Sequence, residues 1–230
     1  MKTIGLIGGM SWQSSKFYYE YLNQIVAEKL GGSHSAKILM SSVDFAPIEE
    51  LSMADDWQKI GELMALEAQK LEAAGADIII LATNTIHLVA DAIEEAISMP
   101  FLHIAKATGQ AITQKKLKKI GLLGTRFTME KDFYTKILAQ EFDLEVVIPN
   151  ADSRSYLQDI IYGELVKGIF RNEAKEKSIA IINDLEQNGA EGIILGCTEL
   201  PILIPDSEVP LPTFDTTLIH SKAAIKFALS

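Results

Sequence analysis

At 230 residues, 48% hydrophobic and 23% charged, the chain has the bulk properties of a globular protein long enough to bury a full core without staples, in one large domain or two small ones. Its net charge of −10 disfavours nucleic acid and anionic membrane as partners, since both need basic patches, and the one basic run, Lys115-Lys116-Leu117-Lys118-Lys119, reads as a solvated helix end leading into a strand. A single cysteine excludes an intrachain disulfide and fits a reducing compartment; with no membrane-length apolar run and no charged lead before the first strand, a cytoplasmic location is expected.

Residues 3–7 form a short apolar run stopped by Gly8-Gly9. A helix follows to about residue 30, with Phe17, Tyr18, Tyr21, Leu22, Ile25 and Val26 on one stripe and Gly31-Gly32 closing it. Residues 36–43 read as a second strand, and a loop with Pro47 and acidic residues comes next. Trp57, Ile60, Leu63, Met64 and Leu71 give helical spacing over 56–74, capped by Gly75. The third strand, 77–82, is apolar throughout, as a parallel strand covered on both faces should be. Thr83-Asn84-Thr85 lies at its C-terminal end and opens a helix over about 87–98; Pro100 then leads into a short strand at 101–104.

The second half repeats the plan. Lys119-Ile120-Gly121-Leu122-Leu123-Gly124 matches Thr3-Ile4-Gly5-Leu6-Ile7-Gly8 at an offset of 116. Residues 71–83 align without a gap on 185–197, with seven of 13 positions identical and an offset of 114. Further strands are expected at 144–148 and 211–214, and helices at 153–167, 172–188 and 216–229. The class is therefore α/β, with two pseudo-symmetric parallel βαβ units: 1–105 completed by 208–230, and 106–207. In such sheets ligands sit beyond the carboxyl ends of the strands. The segments 8–11, 83–85, 124–126 and 197–199 all lie there, and would converge on one cleft if the halves face each other about a pseudo-twofold axis.

The repeat makes Thr83 and Cys197 structural equivalents. Cys197 stands between a buried strand and a helix start, a setting that can lower a thiol pKa. Thr83-Asn84-Thr85 offers hydroxyls, an amide and helix N-terminal N–H groups, the parts of a carboxylate site, although Thr and Asn are also ordinary N-caps. Gly8-Gly9 and Gly124-Thr125 lack the spacing of a dinucleotide fingerprint or P-loop, so no nucleotide cofactor is expected. His34, His87, His103 and His220 show no metal-ligand spacing, and no second cysteine completes a zinc site, so no metal is expected. His87, four residues after Thr83, could lie near the cleft. No Gly-x-Ser-x-Gly elbow supports a serine hydrolase.

Three motifs carry a family resemblance: Gly8-Gly9-Met10 after the first strand, Asn84-Thr85-Ile86-His87 after the third, and Gly196-Cys197-Thr198-Glu199. With the duplication, they resemble the cofactor-independent aspartate/glutamate racemases over nearly the whole chain, in the aspartate racemase branch. The resemblance implies a homodimer, no pyridoxal phosphate or metal, and two cysteines flanking the substrate α-carbon at the domain interface. This chain departs at the first cysteine, which aligns with Thr83. The implied roles are that Cys197 deprotonates the L-enantiomer of an acidic amino acid and Thr83 protonates the other face. Substrate contacts are expected from Thr85, Thr125, Thr198, Glu199 and Asn84, with Lys167 and Arg126 as cations and Met10, Ser11 and Ser52 lining the pocket. The arginine some aspartate racemases carry after the second strand is not evident, since 43–55 has no basic residue. Two alternatives stay open: a single-cysteine decarboxylase or isomerase of the same superfamily, such as the arylmalonate decarboxylases, and a non-catalytic amino-acid-binding protein.

Overall fold

The computed structural model describes all 230 residues. In chain order the elements are β1 (Ile4–Gly8), α1 (Trp12–Leu30), β2 (Ile38–Ser42), α2 (Phe45–Met53), α3 (Trp57–Ala73), β3 (Ile78–Leu81), a 3-10 turn (Thr85–Val89) and α4 (Ala90–Ala96). Then come α5 (Ile104–Gln114), β4 (Lys119–Gly124), α6 (Arg126–Glu130), α7 (Asp132–Phe142), β5 (Glu145–Val147), α8 (Ala151–Gly163) and a 3-10 turn (Leu165–Lys167). The chain ends with α9 (Asn172–Gln187), β6 (Gly192–Gly196), α10 (Leu200–Leu203), a 3-10 turn (Asp206–Glu208), β7 (Thr213–Asp215) and α11 (Thr216–Ala228).

Two compact units result: Met1–Ile104 with Thr217–Ser230, and Ala105–Thr216. The first holds a parallel sheet of order β2-β1-β3, the second a parallel sheet of order β5-β4-β6-β7. The return to the first unit comes at Thr217 rather than at 208, because β7 pairs with β6 through Ile193–Thr213 and Ile194–Phe214 and so stays with the second sheet. The strand expected at 101–104 shrinks to a single bridge between Phe101 and Ile79, since α5 already begins at Ile104. The acidic stretch read as a loop is the helix α2: Asp44 caps it by accepting from the Ala46 N–H at 3.4 Å, and Pro47 sits in the first turn, where its missing N–H costs nothing.

In the first unit the pleat sends alternate residues to opposite faces. Ile4, Leu6, Ile78 and Ile80 pack with Tyr18 and Leu22 of α1 and Ala224 and Ile225 of α11. Ile7, Ile79 and Leu81 pack on the other side with Ile48, Ile60, Met64 and Ile93. A sheet covered on both faces reads as continuous apolar runs, which is why the strands were visible in the sequence.

The repeat holds down to single contacts. Gly5 and Gly121 lie so close to the neighbouring strand that an added Cβ would stand 2.6 Å from Ile79 Cδ1 and 2.6 Å from Ile193 Cδ1 respectively. Asp77 Oδ2 accepts from the Thr3 N–H at 2.6 Å, and Glu191 Oε2 accepts from the Lys118 and Lys119 N–H groups at 2.6 and 3.1 Å. Tyr18 and Tyr134, 116 residues apart, are both fully buried with their hydroxyls hydrogen-bonded to His220 and Thr108.

Candidate active site

All strands of a unit run in one direction, so their C-terminal ends share an edge, and each unit presents one strand-end constellation. In the second unit, β4 and β6 end side by side, with Gly124 in register with Gly196. Chain beyond β6 carries Cys197, Thr198 and Glu199, which are 8%, 7% and 3% exposed. The Cys197 thiol donates to Glu199 Oε2 at 3.1 Å, and the Thr198 hydroxyl donates to the same oxygen at 2.7 Å. The three motif residues therefore form one hydrogen-bonded cluster around a buried carboxylate.

This cluster reverses one expectation. Burial pushes the Cys197 thiol well above its ordinary range, and the Glu199 carboxylate beside it pushes the same way by charge and by hydrogen bonding; backbone N–H groups of Glu199 and Thr198 oppose this and lose. The helix meant to lower the thiol pKa is α10, only four residues long, and it starts at Leu200. Its dipole is too short to outweigh a buried neighbouring carboxylate. The resting group is a thiol.

Beyond β4, the Thr125 hydroxyl caps α6 by accepting from the Thr128 N–H at 3.3 Å and lies 3.1 Å from the Thr128 hydroxyl, which is fully buried. Thr128 escaped the sequence reading; the Thr-x-x-Thr spacing at a strand end was its only signal. Arg126 is exposed, its guanidinium 5.8 Å from the Phe127 ring centroid, and its backbone N–H donates to Gln158 Oε1 at 2.7 Å. Lys167 is exposed on the turn after α8.

In the first unit the exit from β1 is stapled. The Gly9 N–H donates to Ser15 Oγ at 2.7 Å, and Ser15 Oγ donates to the Ser11 carbonyl at 3.1 Å. Gly9 has φ +99°, and a Cβ there would stand 2.2 Å from the Val43 carbonyl oxygen, so the crossing requires glycine. Ser11 caps α1 by accepting from the Ser14 N–H at 3.3 Å. Met10 is buried in the core beside Ile7, and Ser52 is buried on α2 with its hydroxyl donating to the Glu49 carbonyl at 2.8 Å.

Beyond β3, Thr83 is half-buried, while Asn84 and Thr85 are 4% and 8% exposed. Asn84 occupies the cap position of the 3-10 turn without a side-chain capping bond. The helix expected at 87–98 divides into that turn and α4. His87 is 1% exposed; its Nδ1 lies 2.7 Å from the Thr83 carbonyl, and its Nε2 accepts from the Ile104 N–H at 3.2 Å. Nδ1 must then carry the proton and donate it to Thr83. The four-residue spacing from Thr83 suggests His87 near the cleft but gives no sign of this pair of hydrogen bonds, because Ile104 lies 17 residues further along the chain.

The Asp/Glu/Hydantoin racemase family model matches residues 7–224. Among curated relatives, the broad specificity amino-acid racemase RacX of Bacillus subtilis (strain 168) is 28% identical over 166 residues, covering 71% of this chain and 70% of the relative. The glutamate racemase of Shewanella woodyi is 26% identical over 170 residues, and the match spans only 56% of that relative. Among solved structures, a candidate Asp/Glu racemase from Yersinia pestis superposes with a TM-score of 0.94 at 47% identity, covering 100% of both chains. An aspartate racemase homologue from Pyrococcus horikoshii OT3 does so with a TM-score of 0.88 at 36% identity, again over 100% of both. With a family match that runs through both repeated units and both strand-end constellations, this chain belongs to the Asp/Glu/Hydantoin racemase family and is an isomerase of the amino-acid racemase class.

Proposed function

We propose that the chain racemises an acidic amino acid, aspartate or glutamate, without a cofactor, using Cys197 and Thr83 as an unlike pair of proton-transfer groups on opposite faces of one α-carbon. The observation that carries this reading is the buried thiol–carboxylate pair at the end of β6, in a chain whose repeat puts a hydroxyl at the equivalent position. Substrate binding brings an ammonium group, whose charge favours the thiolate; Glu199 takes the thiol proton. The Cys197 thiolate then removes the α-proton of the L-enantiomer. The Thr83 hydroxyl delivers its proton to the opposite face of the carbanion, giving the D-enantiomer. Solvent reprotonates the Thr83 alkoxide and removes the proton from Glu199, which restores the charges.

A threonine hydroxyl is a far weaker acid than a thiol, so it can quench a strongly basic carbanion but scarcely exists as the base that starts the reverse reaction. The free enantiomers are equally stable, so kcat/KM must match in the two directions. The asymmetry can appear only as a larger kcat and larger KM from the L side. Thr85, Thr125, Thr198 and nearby backbone N–H groups bind the carboxylates in this reading, with Lys167 and Arg126 supplying positive charge and Met10, Ser11, Ser52 and Asn84 shaping the pocket. A cytoplasmic homodimer is the assembly that goes with it. Proton NMR of L-aspartate and L-glutamate with the protein in deuterated water tests the proposal. Loss of the α-proton signal that disappears with Cys197→Ala is expected; no exchange with either substrate would leave a binding protein, and CO₂ release from a malonate would leave a decarboxylase.

A further inference from the structure

We infer that His87 is a positioning residue for Thr83: it clamps the Thr83 carbonyl and so fixes the direction of the Thr83 hydroxyl. The inference rests on Thr83 being the proton donor proposed above. The last backbone bond of the β3 edge is the Ala82 N–H to the Ile7 carbonyl, at 2.8 Å, so Thr83 lies one residue past the sheet's own restraint. There the His87 Nδ1–H takes over, donating to the Thr83 carbonyl at 2.7 Å. The Ile104 N–H, donating to Nε2 at 3.2 Å, fixes the tautomer that makes Nδ1 the donor.

The imidazole itself cannot turn. Its ring centroid is 4.7 Å from that of His103, 5.5 Å from Phe101 and 5.8 Å from His220. His220 is held in turn, with Nε2 donating to the Leu102 carbonyl at 2.8 Å and Nδ1 accepting from the Tyr18 hydroxyl at 2.8 Å. Burial and the neighbouring imidazoles keep His87 neutral, so Nε2 stays an acceptor. Nothing like this exists at the thiol. The repeat places Pro201 where His87 stands, and the Cys197 carbonyl accepts only the Leu200 N–H of its own turn, at 3.2 Å. The clamp is confined to the Thr83 end of the repeat, and the carbonyl it holds belongs to the residue proposed as the proton donor, whose transfer depends on alignment.

The test follows the fate of the carbanion. In deuterated water, L-substrate that loses its α-proton to Cys197 leaves as D, or returns as deuterated L once the thiol has exchanged that proton with solvent; return of the same proton leaves the substrate unchanged and is not counted. The ratio of these products reports delivery from the Thr83 side, independently of abstraction. An asparagine amide overlays Nδ1 and can still donate to the Thr83 carbonyl; a glutamine amide overlays Nε2 and cannot. His87→Gln is expected to shift the ratio toward deuterated L by roughly tenfold, and His87→Asn to stay within about threefold of the native ratio. Thr83→Ala is run in parallel and should give an extreme shift. If Thr83→Ala shifts the ratio while His87→Gln does not, or if both His87 variants lower abstraction and delivery together, the positioning role is overturned and the proposed function stands. If neither His87 variant folds, the ring is needed for its packing against His103, Phe101 and His220 rather than for positioning Thr83, and the inference is overturned too. If Thr83→Ala leaves the ratio unchanged, the donor assignment falls, and this inference with it.

Discussion

Replacing Glu199 by glutamine should move the acidity and the reactivity of Cys197 in opposite directions. Glu199 Oε2 accepts from both the Cys197 thiol and the Thr198 hydroxyl and is 3% exposed, so its charge acts on the sulfur with little screening. After burial, that carboxylate is the main cause of the raised thiol pKa, and its removal should make the free thiol more acidic. The glutamine amide is nearly isosteric but cannot take a proton. Hydrogen bonds to charged groups contribute about 1.5–3 kcal/mol, so kcat from the L side should fall roughly 10- to 150-fold. The rate of thiol alkylation against pH reads the acidity, and the initial rate of optical rotation change from L-substrate reads turnover. A Glu199→Gln thiol that is no more acidic than the native one, or a kcat within about threefold of native, would refute Glu199 as the acceptor of the thiol proton.

Thr83→Cys should restore a matched pair of bases and raise kcat from the D side more than from the L side, as measured by initial rates with each enantiomer. Gly121→Ala, whose Cβ would meet Ile193 Cδ1 at 2.6 Å and Leu185 Cδ1 at 3.0 Å, should cost about 1–3 kcal/mol in urea unfolding, whereas Gly163→Ala, with nothing within 4 Å, should not destabilise. Stability should also fall with acid before the carboxylates titrate. His87 is held well below 6.5, and His220 is pushed down to about 4, in both cases chiefly by burial. The unfolded chain therefore binds protons that the folded one refuses, so stability is full above pH 6.5 and lost as pH falls from there toward 4. Two such histidines give a slope of up to about 2.7 kcal/mol per pH unit, and a flat unfolding free energy between pH 6.5 and 5 would contradict it.

The duplication was legible because it is written in buried strands and the glycines between them, where substitution is costly. Residues 71–83 and 185–197 share seven identities, and their structures share the same first-strand amide capped by Asp77 or Glu191. Local chemistry misled where a residue has two uses. Pro47 signals a loop but sits in the first turn of α2, and the apolar stretch after Pro100 signals a strand but gives one bridge at Phe101 before α5 begins at Ile104. The state of Cys197 was not legible at all. It depends on burial and on a carboxylate two residues away turning back onto the sulfur, and neither follows from spacing. His87 was hidden for a similar reason, since its second partner, Ile104, is reached only through the fold.

The pairing of a thiol with a hydroxyl is tested most directly by full steady-state kinetics in both directions on the preferred acidic amino acid. Equal kcat/KM values with a clearly larger kcat and KM from the L-enantiomer are expected. Matching kcat values for the two enantiomers would contradict unlike groups at Cys197 and Thr83.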